Sequence, residues 1–174
     1  LVHSRSHAVR NVLALMVAAV LLGVTTRADL VTDGLVAYYP FNGNANDSTV
    51  NSNHGTVGGG ITYGPGHLDL GASNDSSGWI QAPPHSALNV SNITVSLWCW
   101  LNSYPADLLM RDDISSSRLF QFVVMSDGTV QWIASTEAKT WDIDIQTTNQ
   151  LTQFQWHHIV GTFDIMAGGA VWID

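Results

Sequence analysis

From Leu35 onward, apolar and polar residues alternate with a period of two, and no stretch shows the spacing of an amphipathic helix longer than a turn or two. The alternation predicts strands over residues 35–41, 61–63, 68–70, 79–82, 93–101, 119–125, 129–134, 141–145, 156–163 and 170–173. Two turns fix how some of them pair. Ser126-Asp127-Gly128 stands between FQFVVM and TVQWIA, and Asp-Gly between alternating segments predicts a hairpin. Ala167-Gly168-Gly169 likewise returns HHIVGTFD into AVWID. Many short strands with frequent turns predict an all-β sandwich or barrel. The Gly-rich stretch GGGITYGPG, residues 58–66, carries no Lys and opens no helix, so it reads as a surface turn and not a phosphate loop.

The first 28 residues have a different pattern. Arg5 and Arg10 precede the unbroken apolar run VLALMVAAVLLGV at residues 12–24, and Thr26-Arg27-Ala28 supplies small residues for cleavage. The run is nearer signal-peptide length than the length of a membrane span. Residues 1–28 are therefore expected to be an export signal, residues 29–174 the mature domain, and no membrane insertion is expected after cleavage. Cleavage leaves three basic residues, Arg111, Arg118 and Lys139, against fourteen acidic ones, a formal charge of −11. Nucleic acid and anionic membranes need a cationic footprint, so both are excluded as partners. About 146 residues remain, and a chain of that size buries roughly 68–70% of its unfolded surface without needing disulfides. The one cysteine, Cys99, sits in an apolar strand and reads as a buried thiol.

The segments DGLVAYYPFNGNANDSTVNSNHG, ITVSLWCWLN, WHHIVGTFD and VWID, in that order and spacing, resemble the laminin-G-like group of concanavalin A-like lectin/glucanase domains. The resemblance runs from residue 33 to residue 174 and implies two antiparallel sheets packed as a jelly-roll sandwich. It also implies an exported module that works beside other domains of a larger secreted or surface protein. Three departures stand out. The family pattern continues past the position of Asp174, so the sandwich is expected to be incomplete at its C-terminal end. Trp98-Cys99-Trp100 replaces a single tryptophan followed by polar residues, and Thr49–Gly55 lacks two glycines of the usual loop.

The loop YYPFNGNANDSTVNSNHG holds Asn42, Asn44, Asn46, Asn51 and Asn53 around Asp47. A helix-loop-helix calcium site is ruled out, because Asp47 and Asn53 take the places of its obligatory glycine and bidentate glutamate. A looser oxygen shell of Asn44, Asp47, Asn51 and Asn53 is a candidate for Ca²⁺, which domains similar to this one often carry. The competing reading is that these residues make Asx and left-handed turns. His157 and His158 cannot grip one ion from a strand, since neighbours point to opposite faces. One is expected inward and hydrogen-bonded, the other outward.

Glucanase relatives use a Glu-x-Asp-x-Glu strand. WDIDIQ places Asp142, Asp144 and Gln146 on one face, but an amide at position 146 cannot act as a general acid, and Glu137 is the only glutamate. Of the seven tryptophans, Trp98 and Trp156 are expected to be structural. Trp100 and Trp141 are the candidates for exposed sugar-stacking platforms. The favoured function is a non-catalytic, extracellular glycan-binding module, with calcium as an expected cofactor. The alternatives are a protein-interaction or adhesion module without a sugar site and, third, a glucanase-like hydrolase.

Overall fold

The computed structural model describes residues 33–88, 92–112, 118–135 and 142–174. The expected export signal, residues 1–28, lies outside them. Among the described residues eleven strands form in chain order: β1 (Thr56–Gly58), β2 (Ile61–Pro65), β3 (Leu70–Asn74), β4 (Trp79–Gln81), β5 (Asn92–Trp100), β6 (Ala106–Asp112), β7 (Arg118–Val124), β8 (Thr129–Ala134), β9 (Ile143–Gln150), β10 (Trp156–Asp164) and β11 (Gly168–Ile173). All pairings are antiparallel. The two larger sheets are ordered β6-β7-β8-β9 and β11-β10-β5, and two hairpin-sized sheets pair β1 with β4 and β2 with β3.

Strand alternation decides which side chains meet between the larger sheets. Along β10, His157, Ile159, Gly161 and Phe163 turn inward and are buried, while the intervening residues face outward. Ile159, Gly161 and Phe163 meet a layer that contains Phe122 and Val124 of β7 and Val130 and Trp132 of β8, all four fully buried. Trp132 packs on Phe122 at 4.4 Å between ring centroids. Its indole N–H donates across the sheets to the Thr162 carbonyl at 2.9 Å. The antiparallel sandwich is thus closed by an apolar layer with one polar tie.

Most strands lie where the alternation predicts them, and both expected hairpins form. Gly128 takes a φ of 86° in the β7–β8 turn, a left-handed conformation that suits glycine. Asp127 Oδ1 accepts from the Thr129 N–H at 3.0 Å there. Residues 35–41 differ from the prediction because their backbone bonds to a loop instead of a strand. The Tyr38 N–H goes to Asp47 Oδ1 and the Tyr38 carbonyl accepts from Ser48. Strand β6 escapes prediction because a register shift between Asp107 and Leu109 breaks the period of two.

Cys99 faces inward on β5. Burial pushes its thiol up to about 12, with the Asp174 carboxylate adding to the shift. The nucleophilic thiolate is therefore scarce. Native protein at pH 8 is expected to resist thiol-directed reagents and to react fully once unfolded in guanidinium. Rapid labelling of the native chain would contradict this burial.

Candidate functional site

The outer face of the β11-β10-β5 sheet brings together three exposed tryptophans, Trp98, Trp100 and Trp172. The register sets Trp100 opposite Trp156, Trp98 opposite His158, and Trp172 opposite Val160. Directly opposed residues in an antiparallel pair share a face, so these rings form one surface. Trp98, Trp100 and Trp172 are 42%, 46% and 53% exposed. Apolar surface concentrated in this way marks an interaction site more often than chance exposure.

The Trp98 and Trp100 rings are held in place by neighbouring side chains. Trp100 stands edge-on to Trp156 at 6.0 Å and 65°, and its indole N–H donates to Asn102 Oδ1 at 3.2 Å. His67, from the turn joining β2 to β3, lies flat on Trp98 at 3.6 Å and 11°. His158 stacks on Trp98 at 4.9 Å, and its Nε2 pairs with the Ser96 hydroxyl at 2.8 Å. The expectation that Trp98 is a structural residue needs correcting in one respect. The ring anchors its neighbours, but on the outer face and not between the sheets, because it shares the alternation of Ser96 and Trp100; Trp156, expected to be structural as well, lies on the same outer face opposite Trp100. Trp100 is where the sequence places it, exposed on that face. Trp141 lies outside the described residues. His67, His158 and Trp172 were not singled out as site residues, although alternation in GGAVWI already turns Trp172 away from Val171 and Ile173.

His157 and His158 divide as predicted. His157 is buried, with Nε2 at 3.0 Å from the Thr152 N and O atoms and Nδ1 at 3.0 Å from Asp174 Oδ1. His158 faces outward.

The oxygen-rich loop is organised around Asp47, which is only 3% exposed. Its Oδ1 accepts from the N–H groups of Tyr38 at 3.0 Å and Thr49 at 2.9 Å. Its Oδ2 accepts from the Thr49 hydroxyl at 2.9 Å and the Asn53 N–H at 3.0 Å. Asn51 donates its side-chain amide to the Val36 carbonyl at 2.9 Å, and Asn53 lies on the same carbonyl at 3.5 Å. Asn44 Oδ1 accepts from Asn46 N–H at 2.9 Å in its own turn. The structure brings Asp47, Asn51 and Asn53 together, while Asn44 serves a separate turn. A carboxylate has about four lone-pair sites, and here donors occupy them. That is the reverse of a cation shell, so these four residues do not fit calcium as they stand. Among the described residues no cluster of three or more His, Cys, Asp or Glu could hold a metal ion. Burial acts to raise the Asp47 carboxyl, but the donors from Tyr38, Thr49 and Asn53 outweigh it and bring it below its ordinary value.

Residues 74–174 match a laminin G-like family described as the concanavalin A-like lectin/glucanases superfamily. The chain belongs to this superfamily. Its laminin G-like sandwich is a carbohydrate- or protein-binding module at that level, of a kind that is typically extracellular. Among the described residues no helix is long and apolar enough to cross a membrane. No curated protein and no solved structure matches the chain. In the strand that superficially echoes the glucanase motif, Asp142 and Asp144 are exposed, and Asp144 Oδ1 accepts from Gln131 Nε2 at 2.7 Å. Gln146 donates its amide to the Thr129 hydroxyl.

Proposed function

We propose that this laminin G-like domain is a non-catalytic module of an exported protein and binds a glycan on the outer face of the β11-β10-β5 sheet. The observation that carries the proposal is the exposed Trp100 ring, fixed by Trp156 and Asn102 on a face that further along also presents His158, Ser96 and Thr162. An indole face offers apolar area to the C–H face of a pyranose ring, and neighbouring polar groups can take its hydroxyls. The pair of carboxyl groups that glycoside cleavage requires has no counterpart on these strands: β5 and β11 contain none, and β10 contains only Asp164.

The test is a neutral-glycan array probed with the full chain and with Trp100→Ala. A buried tryptophan anchor is worth about 2 kcal/mol or more at an interface centre, so the substitution is expected to lower affinity by roughly thirtyfold while leaving the melting temperature unchanged. Chelation with EDTA is expected to leave binding intact, since the Asp47 carboxylate is already taken up by N–H and O–H donors. A silent array on folded protein would shift the assignment to a protein-interaction module. Reducing-sugar release that Asp142→Asn abolishes would shift it to a hydrolase.

A further inference from the structure

We infer that the ligand is a neutral oligosaccharide, a trisaccharide or longer, lying diagonally over three strands from Trp100 across His158 to Trp172; this rests on the glycan reading above. The register dictates the line. Trp100 is paired with Trp156 at the start of β10, and Trp172 is paired with Val160, four residues further along. His158 lies midway between Trp156 and Val160 on the central strand, and therefore midway on the diagonal between the two tryptophans. Strands rise about 3.3 Å per residue and lie about 4.8 Å apart, which sets the Cα atoms of Trp100 and Trp172 roughly 16 Å from each other. One sugar ring cannot reach both indoles, whereas an extended trisaccharide can.

Chemistry along the line supports the same occupant. The two ends are the more exposed indoles, Trp100 and Trp172. The middle is a polar imidazole that cannot swing freely, because Trp98 stacks against it and Ser96 bonds its Nε2. Trp98 is poorly placed to be a platform itself, since His67 already lies flat on it. Its part is to position His158. A hydrogen-bonding group held between two apolar platforms matches a chain of rings whose faces are apolar and whose edges carry hydroxyls.

The charge pattern narrows the class. None of the three strands contains Lys or Arg, Asp164 lies at one end of the face, and the whole chain carries a formal charge of −8. A sulfated or uronate-rich glycan would meet a like-charged protein with no cation to receive it. A neutral chain incurs no such cost.

Isothermal titration of the full chain with cello-, laminari-, xylo-, manno- and N-acetylchito-oligosaccharides of increasing length, and with a heparin-derived hexasaccharide, tests the track. For at least one neutral series the hexasaccharide is expected to bind at least about tenfold more tightly than the disaccharide, as two anchors engage in place of one. Trp172→Ala should remove that gain, bringing the hexasaccharide down to about the affinity of the disaccharide. Trp100→Ala should weaken both, and heparin should not bind. Trp172 is exposed on an edge strand, so its removal is expected to preserve the fold, which circular dichroism checks. Length-independent affinity with Trp172→Ala unchanged would overturn the track while leaving a glycan site at Trp100. Failure of every neutral series to bind the folded protein would overturn both readings, and preference for heparin would overturn the neutral assignment.

Discussion

Trp132→Ala is expected to destabilise the domain by about 3–5 kcal/mol, the usual cost of emptying a fully buried tryptophan site. Whole domains are stable by only about 5–15 kcal/mol, so the substitution removes a large share of that margin and should lower the melting temperature by many degrees. The ring is completely buried, packs on Phe122 at 4.4 Å, and ties the sheets through the Thr162 carbonyl. Its room comes from Gly161 on the facing strand. A Cβ at Gly161 would lie 2.6 Å from Phe122 Cζ and 2.7 Å from Trp132 Cδ2, closer than side-chain carbons approach. Gly161→Ala should therefore cost about 1–3 kcal/mol by overpacking. The two sites touch, so they should not be additive. Trp132→Phe loses the N–H but frees volume on the side where the new methyl would go, and Gly161→Ala should hurt less in that background than in the wild type. Urea denaturation of the four proteins in the cycle measures the coupling. Strict additivity would mean that the glycine and the indole do not share one space.

That contact was legible only in part. Alternation in WHHIVGTFD turns Gly161 inward, and alternation in TVQWIA sends Trp132 inward with Val130, so the strands and their buried faces follow from the residues alone. Which inward side chain on one sheet meets which on the other depends on how the sheets are offset, and no local pattern encodes that offset. The outer face was legible by the same rule. Trp98 and Trp100 share it with Ser96, Trp156 alternates with His157, and Trp172 alternates with Val171 and Ile173, so a uniform application of the rule identifies all four outward tryptophans of this sheet. Weighing Trp98 by its place in a family pattern instead led to a structural expectation that the exposed ring only half fulfils. The hydrogen bonding of the loop was hidden for another reason. Its asparagines and Asp47 were counted as oxygen donors to a cation, but the partners of Asp47 are mainly backbone N–H groups of Tyr38, Thr49 and Asn53. Backbone groups are the same at every position and leave no trace in a sequence. For the same reason residues 35–41 resemble a strand by composition yet give their hydrogen bonds to a loop.

Asp47→Ala is expected to cost about 2–4 kcal/mol, because it strands several N–H donors that the carboxylate now satisfies. Asn53, one of the residues whose N–H would be left, is 1% exposed, so water cannot replace the lost acceptor without opening the loop. Asp47→Asn should fall between, since an amide keeps one acceptor oxygen and turns a donor toward the remaining N–H and hydroxyl groups. The same contacts give the loop a pH dependence with a definite sign. The hydrogen bonds hold the folded carboxyl below its ordinary value despite burial, whereas the unfolded chain titrates near the usual value of about 3.9. The unfolded state therefore binds more protons between the two values, and stability rises with pH in that window. The contribution is fully present above the unfolded value and is lost as pH falls through the folded one. Asp75, Asp127 and Asp174 are shifted in the same direction, so the wild-type profile alone would mix their effects. Subtracting the profile of Asp47→Asn, which cannot titrate at this position, isolates the loop: the stability gap between the two proteins should be constant near neutrality and shrink as the solution is acidified below about pH 4. A gap that stays constant into acid would show that the ionised form is not the one the N–H groups select. The same pair of proteins decides the calcium question. If the donors saturate the carboxylate as the distances indicate, millimolar calcium should leave both melting temperatures unchanged. A calcium-dependent rise in the wild type that Asp47→Asn abolishes would mean that the loop opens its hydrogen bonds to take the ion.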